Sequence, residues 1–260
     1  MYFKKCFFYG EKLMLEKNKI YQGDCLEVMK KIDDGSIDMI LCDLPYNTTG
    51  NKWDISINLE YLWQQYKRII KQKGIIILFG NEIFSNALIN SNKKMFRYKW
   101  YWNKTRGINF QNARFMPMKC IEEINIFYKN TPIYNPQYWY STPYKTTARS
   151  RKNIIQGISG GNAPKICSAT ISDDGRRYPL TLLTFKKDRC NYHQSQKPVD
   201  LLEYLIKTYT NENDLVLDNC IGSGTTAVAC INTNRDYIGI ELRQEYVDIA
   251  NKRINELKHI

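Results

Sequence analysis

Several things are scarce in this chain, and each scarcity excludes something. No apolar run approaches the roughly 20 residues that a membrane span needs, and no basic amphipathic helix stands out, so a membrane is not an expected partner. The opening Met1-Tyr2-Phe3-Lys4-Lys5-Cys6-Phe7-Phe8-Tyr9-Gly10 is basic, then apolar. It lacks a long apolar core and a small-residue cleavage site, which argues against a signal peptide. The first strand pattern begins only at Lys19-Ile20-Tyr21, so Met14 is a candidate initiator. The eight cysteines form no CxxC pair and no regular spacing, and several lie in apolar runs. They read as reduced, buried thiols of a cytoplasmic protein, not as a disulfide frame. Histidine is limited to His193 and His259, and no metal site is expected. Acidic residues nearly vanish from Ile83 to Ser172, where only Glu122 and Glu123 occur.

What is present is length and positive charge. At 260 residues the chain can bury a substantial core. Its net charge of +12 attracts polyanions, most simply nucleic acid.

The order of elements predicts the fold. Lys19 to Asp24 reads as a strand and turn, Cys25 to Ile32 as a helix, and Ile37 to Cys42 as a buried strand. Leu59 to Lys73 reads as a helix closed by Lys71, Lys73 and Gly74. Ile75 to Phe79 reads as a strand buried on both faces, and Asn81 as the cap of a helix to about Asn90. The βαβαβα order argues a parallel, doubly wound α/β sheet. Two alternating strands follow at Lys99–Lys104 and Glu123–Lys129. From about 130 to 192 the text is basic, aromatic and turn-rich, with no regular core elements. It reads as an inserted lobe able to face a polyanion. Periodicity then resumes with a helix opened by Lys197-Pro198, a strand at Leu215–Asp218 and a helix at Ala227–Thr233. A strand at Tyr237–Glu241 and a helix at Gln244–Leu257 close the chain.

Two stretches carry chemistry. Asp43-Leu44-Pro45-Tyr46 ends a buried strand, and ligands of open α/β sheets bind beyond such ends. The second stretch, Asp218 to Thr226, is strand, glycine turn and helix start, with Gly222 and Gly224 free to approach a ligand. It is neither GxxxxGK[ST] nor a full GxGxxG, since Ala227 takes the third position. Glu241 stands 17 positions after Gly224, at a strand end, where an acid can hold ribose hydroxyls. An adenosine-type cofactor is expected, with NAD as the rival.

In combination these stretches resemble the DNA amino-methyltransferases that modify adenine N6 or cytosine N4. Asp43-Leu44-Pro45-Tyr46 resembles their Asp-Pro-Pro-Tyr. Asp218 to Thr226 resembles their Asp-Pro-Phe-x-Gly-Ser-Gly-Thr-Thr loop. His193-Gln194-Ser195-Gln196-Lys197-Pro198 resembles the His-Pro-Thr-Gln-Lys-Pro of their permuted, β-type group. Leu44 and Asn219-Cys220 depart from the pattern. The resemblance implies a seven-stranded, mostly parallel Rossmann-like sheet divided into a catalytic half (15–129), a target-recognition insertion (130–192) and a cofactor half (193–260). It implies S-adenosylmethionine as cofactor, held by Asp24, Cys25, Lys197, Asp218, Gly222, Ser223, Gly224, Thr225 and Glu241. Lys197 is expected to pair with the methionine carboxylate, and Tyr46 to stack on a flipped base. Double-stranded DNA is the expected partner, with Trp53, Arg149, Arg151, Lys152, Arg176 and Arg177 as contacts, and a homodimer is left open. Asp at position 43 favours adenine by family habit. N4-cytosine transfer and an inactive DNA-binding homologue are the alternatives. Protein-glutamine and RNA amino-methyltransferases normally place the cofactor loop first, the reverse of the order here.

Overall fold

The computed structural model describes residues 15–46, 57–143, 174–188 and 196–257. Trp53, Arg149, Arg151, Lys152 and His193 to Ser195 lie outside the described residues. The chain separates into two units, 1–135 with 181–260, and Pro136–Leu180.

The larger unit is built on one sheet. Its early elements are β1 (Lys19–Gln22), α1 (Cys25–Met29), β2 (Ile37–Cys42), α2 (Leu59–Ile69), β3 (Ile70–Gly80) and α3 (Glu82–Ser91). Then come the long hairpin strands β4 (Phe96–Ile108) and β5 (Lys119–Phe127). The smaller unit contributes a two-residue pair, β6 (Trp139–Tyr140) and β7 (Arg176–Arg177). The larger unit closes with β8 (Leu182–Thr184), α4 (Val199–Tyr209), β9 (Leu215–Asp218), α5 (Thr225–Asn232), β10 (Asp236–Glu241) and α6 (Gln244–Leu257).

The sheet has the order β1-β10-β9-β2-β3-β5-β4-β8. Strands from β1 through β3 run parallel, while β5 is antiparallel to both β3 and β4. One apolar cluster includes residues of α4, α5 and α6; a second includes residues of α1, α2 and α3. The run Ile75 to Phe79 is buried throughout, as a central strand covered on both faces must be.

Three boundaries differ from expectation. The helix α2 stops at Ile69, and Ile70 adopts an extended ψ of 136° and pairs with Ile37. The Lys71-Gln72-Lys73 run therefore starts a strand, because cross-strand pairing outweighs the helical period. The sheet has eight strands among the described residues, not seven: Leu182–Thr184 joins the edge beside Tyr101–Asn103. That segment was expected to hold no regular element. Three residues carry too little period to read, and it is the neighbouring β4 that makes them a strand. The smaller unit is also narrower than the expected 130–192 insertion. Asn135 bonds to the Thr208 carbonyl at 2.7 Å and so belongs with α4.

The topology brings the two sequence motifs together. Residues of β2 pair with β9, Ile40 opposite Leu217, although these two residues lie 177 positions apart. From these neighbours the chain winds outwards in opposite directions, β2 to β3 and β9 to β10. Their carboxyl ends thus flank a switch point, where open α/β sheets leave a crevice.

Candidate active site

A cavity of about 580 Å³ opens at that switch point. Both Asp43 to Tyr46 and Asn219 to Ser223 line it, as do Asp24 and Glu241.

On the β2 side, Asp43 is half-buried and engaged at both oxygens. The Tyr46 hydroxyl donates to Oδ1 at 2.6 Å, and the Lys197 ammonium donates to Oδ2. Lys197 also reaches Glu122 at 3.0 Å, and Lys104 bonds the other oxygen of Glu122 at 2.6 Å. The Lys197 side chain, 9% exposed, lies over the Phe79 ring at 5.0 Å. Two carboxylates and two ammoniums thus alternate and neutralise one another. Buried charges persist in this way only when paired. Burial raises the Asp43 pKa, and Lys197 opposes that rise. Burial also pushes Glu122 upwards, but Lys197 and Lys104 outweigh it and hold the group below its ordinary range. Desolvation lowers Lys197, and its two carboxylates more than reverse this.

Lys197 was expected on the cofactor's carboxylate; in the structure its ammonium joins Asp43 to Glu122. Tyr46 was expected to stack on a flipped base; its ring lies 4.7 Å from Phe84 and its hydroxyl is bonded to Asp43. Leu44 replaces the first proline of the family tetrapeptide, and its side chain is 3% exposed within the apolar cluster that includes α2. The substitution is absorbed by packing.

On the β9 side, Asp218 is buried and accepts from Cys220 N at 3.1 Å and from the Thr226 hydroxyl at 2.5 Å. Burial raises its pKa to about 6. Gly222 and Gly224 both have left-handed backbone, φ +53° and +83°. Their surroundings differ. A Cβ on Gly224 would come within 2.8 Å of Ala250 in α6, whereas one on Gly222 would meet nothing within 4 Å. Gly224 therefore serves packing, and Gly222 faces open space. Glu241 ties the loop to its own turn, accepting from Gly222 N at 3.0 Å and from Arg243 N at 2.9 Å. Asn219, where the family has proline, accepts from the Tyr66 hydroxyl at 2.6 Å and so fixes the loop to α2. Asp24 caps α1, accepting at Oδ1 from Leu26 N and Glu27 N, and Cys25 begins that helix beside the cavity. Ser223 and Thr225 turn their hydroxyls towards the buried Arg253, at 3.3 and 3.1 Å.

Sequence reading missed Glu122, Lys104 and Arg253. Glu122 carried one signal, being half of the only acidic pair in a long basic stretch. Arg253 carried another, a charge on the inward face of α6 beside Ala250 and Ile254. Arg176 and Arg177 help to hold their own small unit. Arg176 pairs with Asp174 and lies 5.3 Å over the Tyr138 ring, and Arg177 bonds the Thr142 carbonyl at 2.7 Å. The described cysteines, 25, 42, 120, 220 and 230, are free thiols. Among the described residues no helix is long and apolar enough to cross a membrane, and no cluster could hold a metal ion.

A mostly parallel α/β sheet, with an acidic tetrapeptide and a glycine loop sharing one crevice, defines a nucleoside-cofactor transferase architecture. The N6_N4_Mtase family model, described as DNA methylase, matches residues 37–252, and the chain belongs to that family. It is 28% identical over 270 residues to the Type II methyltransferase M1.MboII of Moraxella bovis, covering 94% of this chain and 99% of that one. It is 30% identical over 275 residues to the Type II methyltransferase M.HinfI of Haemophilus influenzae, covering 93% and 69%. Its fold is similar to the crystal structure of an M1.HpyAVI–SAM complex. There the TM-score is 0.60 at 24% identity, with 90% of this chain and 98% of that one covered.

Proposed function

We propose that the protein transfers a methyl group from S-adenosylmethionine to the exocyclic N6 amine of adenine in double-stranded DNA. The observation that carries this reading is the single cavity shared by Asp43–Tyr46 and the Gly222 loop. The residues present fit the cofactor. Open space above Gly222 admits a ligand close to the backbone, and Glu241 offers a carboxylate at the end of β10 for ribose hydroxyls. Asp24, at the end of the neighbouring β1, is placed for the adenine amine. When bound, S-adenosylmethionine supplies a methyl group on positively charged sulfur, open to in-line displacement.

The chain must make a poor nucleophile better. An adenine amine delocalises its lone pair into the ring. Asp43 accepts one of its N–H bonds, and the main-chain carbonyl of Leu44 accepts the other. The nitrogen then becomes pyramidal and its lone pair turns towards the methyl, an arrangement favoured most in the transition state. With S-adenosylmethionine bound, the amine would take up its methyl group as the cofactor left as a neutral thioether, and the proton shed by the amine after transfer would pass through the accepting Asp43 to solvent. Lys197 and Tyr46 hold Asp43 in place and favour its ionised, accepting form. The aspartate at 43 and the family habit attached to it support adenine over cytosine. Basic residues outside the site, Arg149, Arg151 and Lys152 among them, are assigned to the DNA backbone, with Trp53 beside the target base. Arg176 and Arg177 serve the same surface through the unit they stabilise.

Expression in a methylation-free host, followed by mapping of modified bases, tests the proposal. N6-methyladenine at one recurring sequence is expected. N4-methylcytosine would move the assignment to cytosine, and unmodified DNA would overturn it.

A further inference from the structure

We infer that the β4–β5 hairpin tip is a wedge that enters duplex DNA beside the target base and fills the gap left when that base turns into the cavity. This inference rests on the DNA reading above and adds the element that opens the duplex.

The strand β5 runs antiparallel to β3, with Glu123 opposite Gly80, so its Lys119 end lies at the carboxyl edge of the parallel strands. The hairpin therefore rises over the crevice. Ile108, Lys119 and Ile121 from its two strands line the same cavity as Asp43. Beyond Asn103 and Ile121 the ladder is irregular, with Thr105 and Asn109 in left-handed backbone and a single 3₁₀ turn at Phe110–Asn112.

What the tip displays is unusual for a surface. Phe110 is 74% exposed and Phe115 is 88% exposed, with Met116 and Met118 about half exposed beside them. Arg106 and Arg114 are exposed on the same segment, Lys119 at its base pairs with Glu82 at 2.9 Å, and no acidic residue occurs from Lys104 to Ile121. Isolated exposed apolar residues need no explanation, but a run of them at the mouth of a site does. Apolar side chains flanked by cations match a duplex, in which the cations meet phosphates and a ring enters the base stack. A base can reach Asp43 only by leaving that stack. Phe110 follows two residues after Ile108, which lines the cavity that the base must enter, and Phe115 belongs to the same hairpin tip.

The test uses the full chain and a duplex carrying the mapped target. The variant F110A/F115A is compared with wild type on the intact duplex and on one with an abasic site opposite the target, which is already loosened. Transfer to the intact duplex is expected to fall about tenfold or more, from the stacking lost. On the loosened duplex the loss should shrink to a few-fold, and S-adenosylmethionine binding should be unchanged. A second variant, R106Q/R114Q, should weaken binding to both duplexes alike. Equal losses of F110A/F115A on the two substrates, or none, would overturn the wedge. So would wild-type kinetics joined to a fall in sedimenting mass, which would assign the patch to contact between copies. Wild-type protein that methylates no DNA would instead remove the underlying reading.

Discussion

Asp43 is a charged acceptor at both oxygens only while ionised, and its neighbours decide how far down in pH that lasts. Burial raises its pKa and Lys197 opposes the rise. Removing the ammonium in K197M leaves only the weaker Tyr46 hydrogen bond to oppose the rise, so the acid limb of the kcat profile should move to higher pH. K197R should largely restore it. A merely structural lysine would lower activity without moving the limb. In D43N cofactor binding should persist, measured by equilibrium dialysis, while transfer falls by a factor of a hundred or more, on the order of an acceptor lost from a transition state. Asp218 gives a stability prediction. Its folded pKa of about 6 lies above the ordinary 3.8, so the folded state holds the proton more tightly. Stability from this group is present below pH 4 and is lost as pH rises through 6, by on the order of 3 kcal/mol. Urea titrations of D218N should lack that slope relative to wild type. These residues differ in how readable they were. Asp43 and Asp218 announce themselves by type and place in a short run. Glu122 and Lys104 acquire meaning only when Lys197, distant in sequence, arrives between Glu122 and Asp43.

The glycine loop separates two jobs that its sequence presents as one. Both glycines have positive φ, so either alanine substitution costs about 1–2 kcal/mol of backbone strain. Gly224→Ala also drives a methyl towards Ala250 and should lower the melting temperature further. Gly222→Ala meets no protein atom and should fold, yet lose S-adenosylmethionine affinity by calorimetry, because its methyl occupies the ligand's approach. Equal effects at the two positions would contradict the division. Elements with a full period, such as α6 and the run within β3, were legible because burial on one or both faces fixes their composition. The end of α2 was not. Its helical period runs on into Lys73, but Ile70 gains a partner in Ile37, and pairing across the sheet leaves no trace in local sequence.

At the scale of the molecule, the order of the motifs and the charge distribution were both readable, and they concern different things. Motif order places tetrapeptide and glycine loop on adjacent strands once β9 inserts beside β2. Charge concerns the polyanion, and it is not tied to one surface by sequence alone. Between Ile83 and Ser172 the two acids are Glu122 and Glu123, and both are engaged by lysines, Glu122 by Lys104 and Lys197 and Glu123 by Lys99. Lys119 of the same stretch pairs with Glu82, just before it in sequence, so the acids of the larger unit already answer several of its lysines. If Arg149, Arg151 and Lys152 meet phosphates, each neutralised contact releases counterions, and the logarithm of the binding constant falls with that of salt by about 0.9 per contact. A triple glutamine variant should therefore bind duplex DNA more weakly at low salt and show a slope shallower by about two to three. Affinity for S-adenosylmethionine should not change, since none of the three belongs to the proposed cofactor set. A slope equal to that of wild type would place these residues away from the backbone and leave the β4–β5 hairpin and its arginines as the main electrostatic contact.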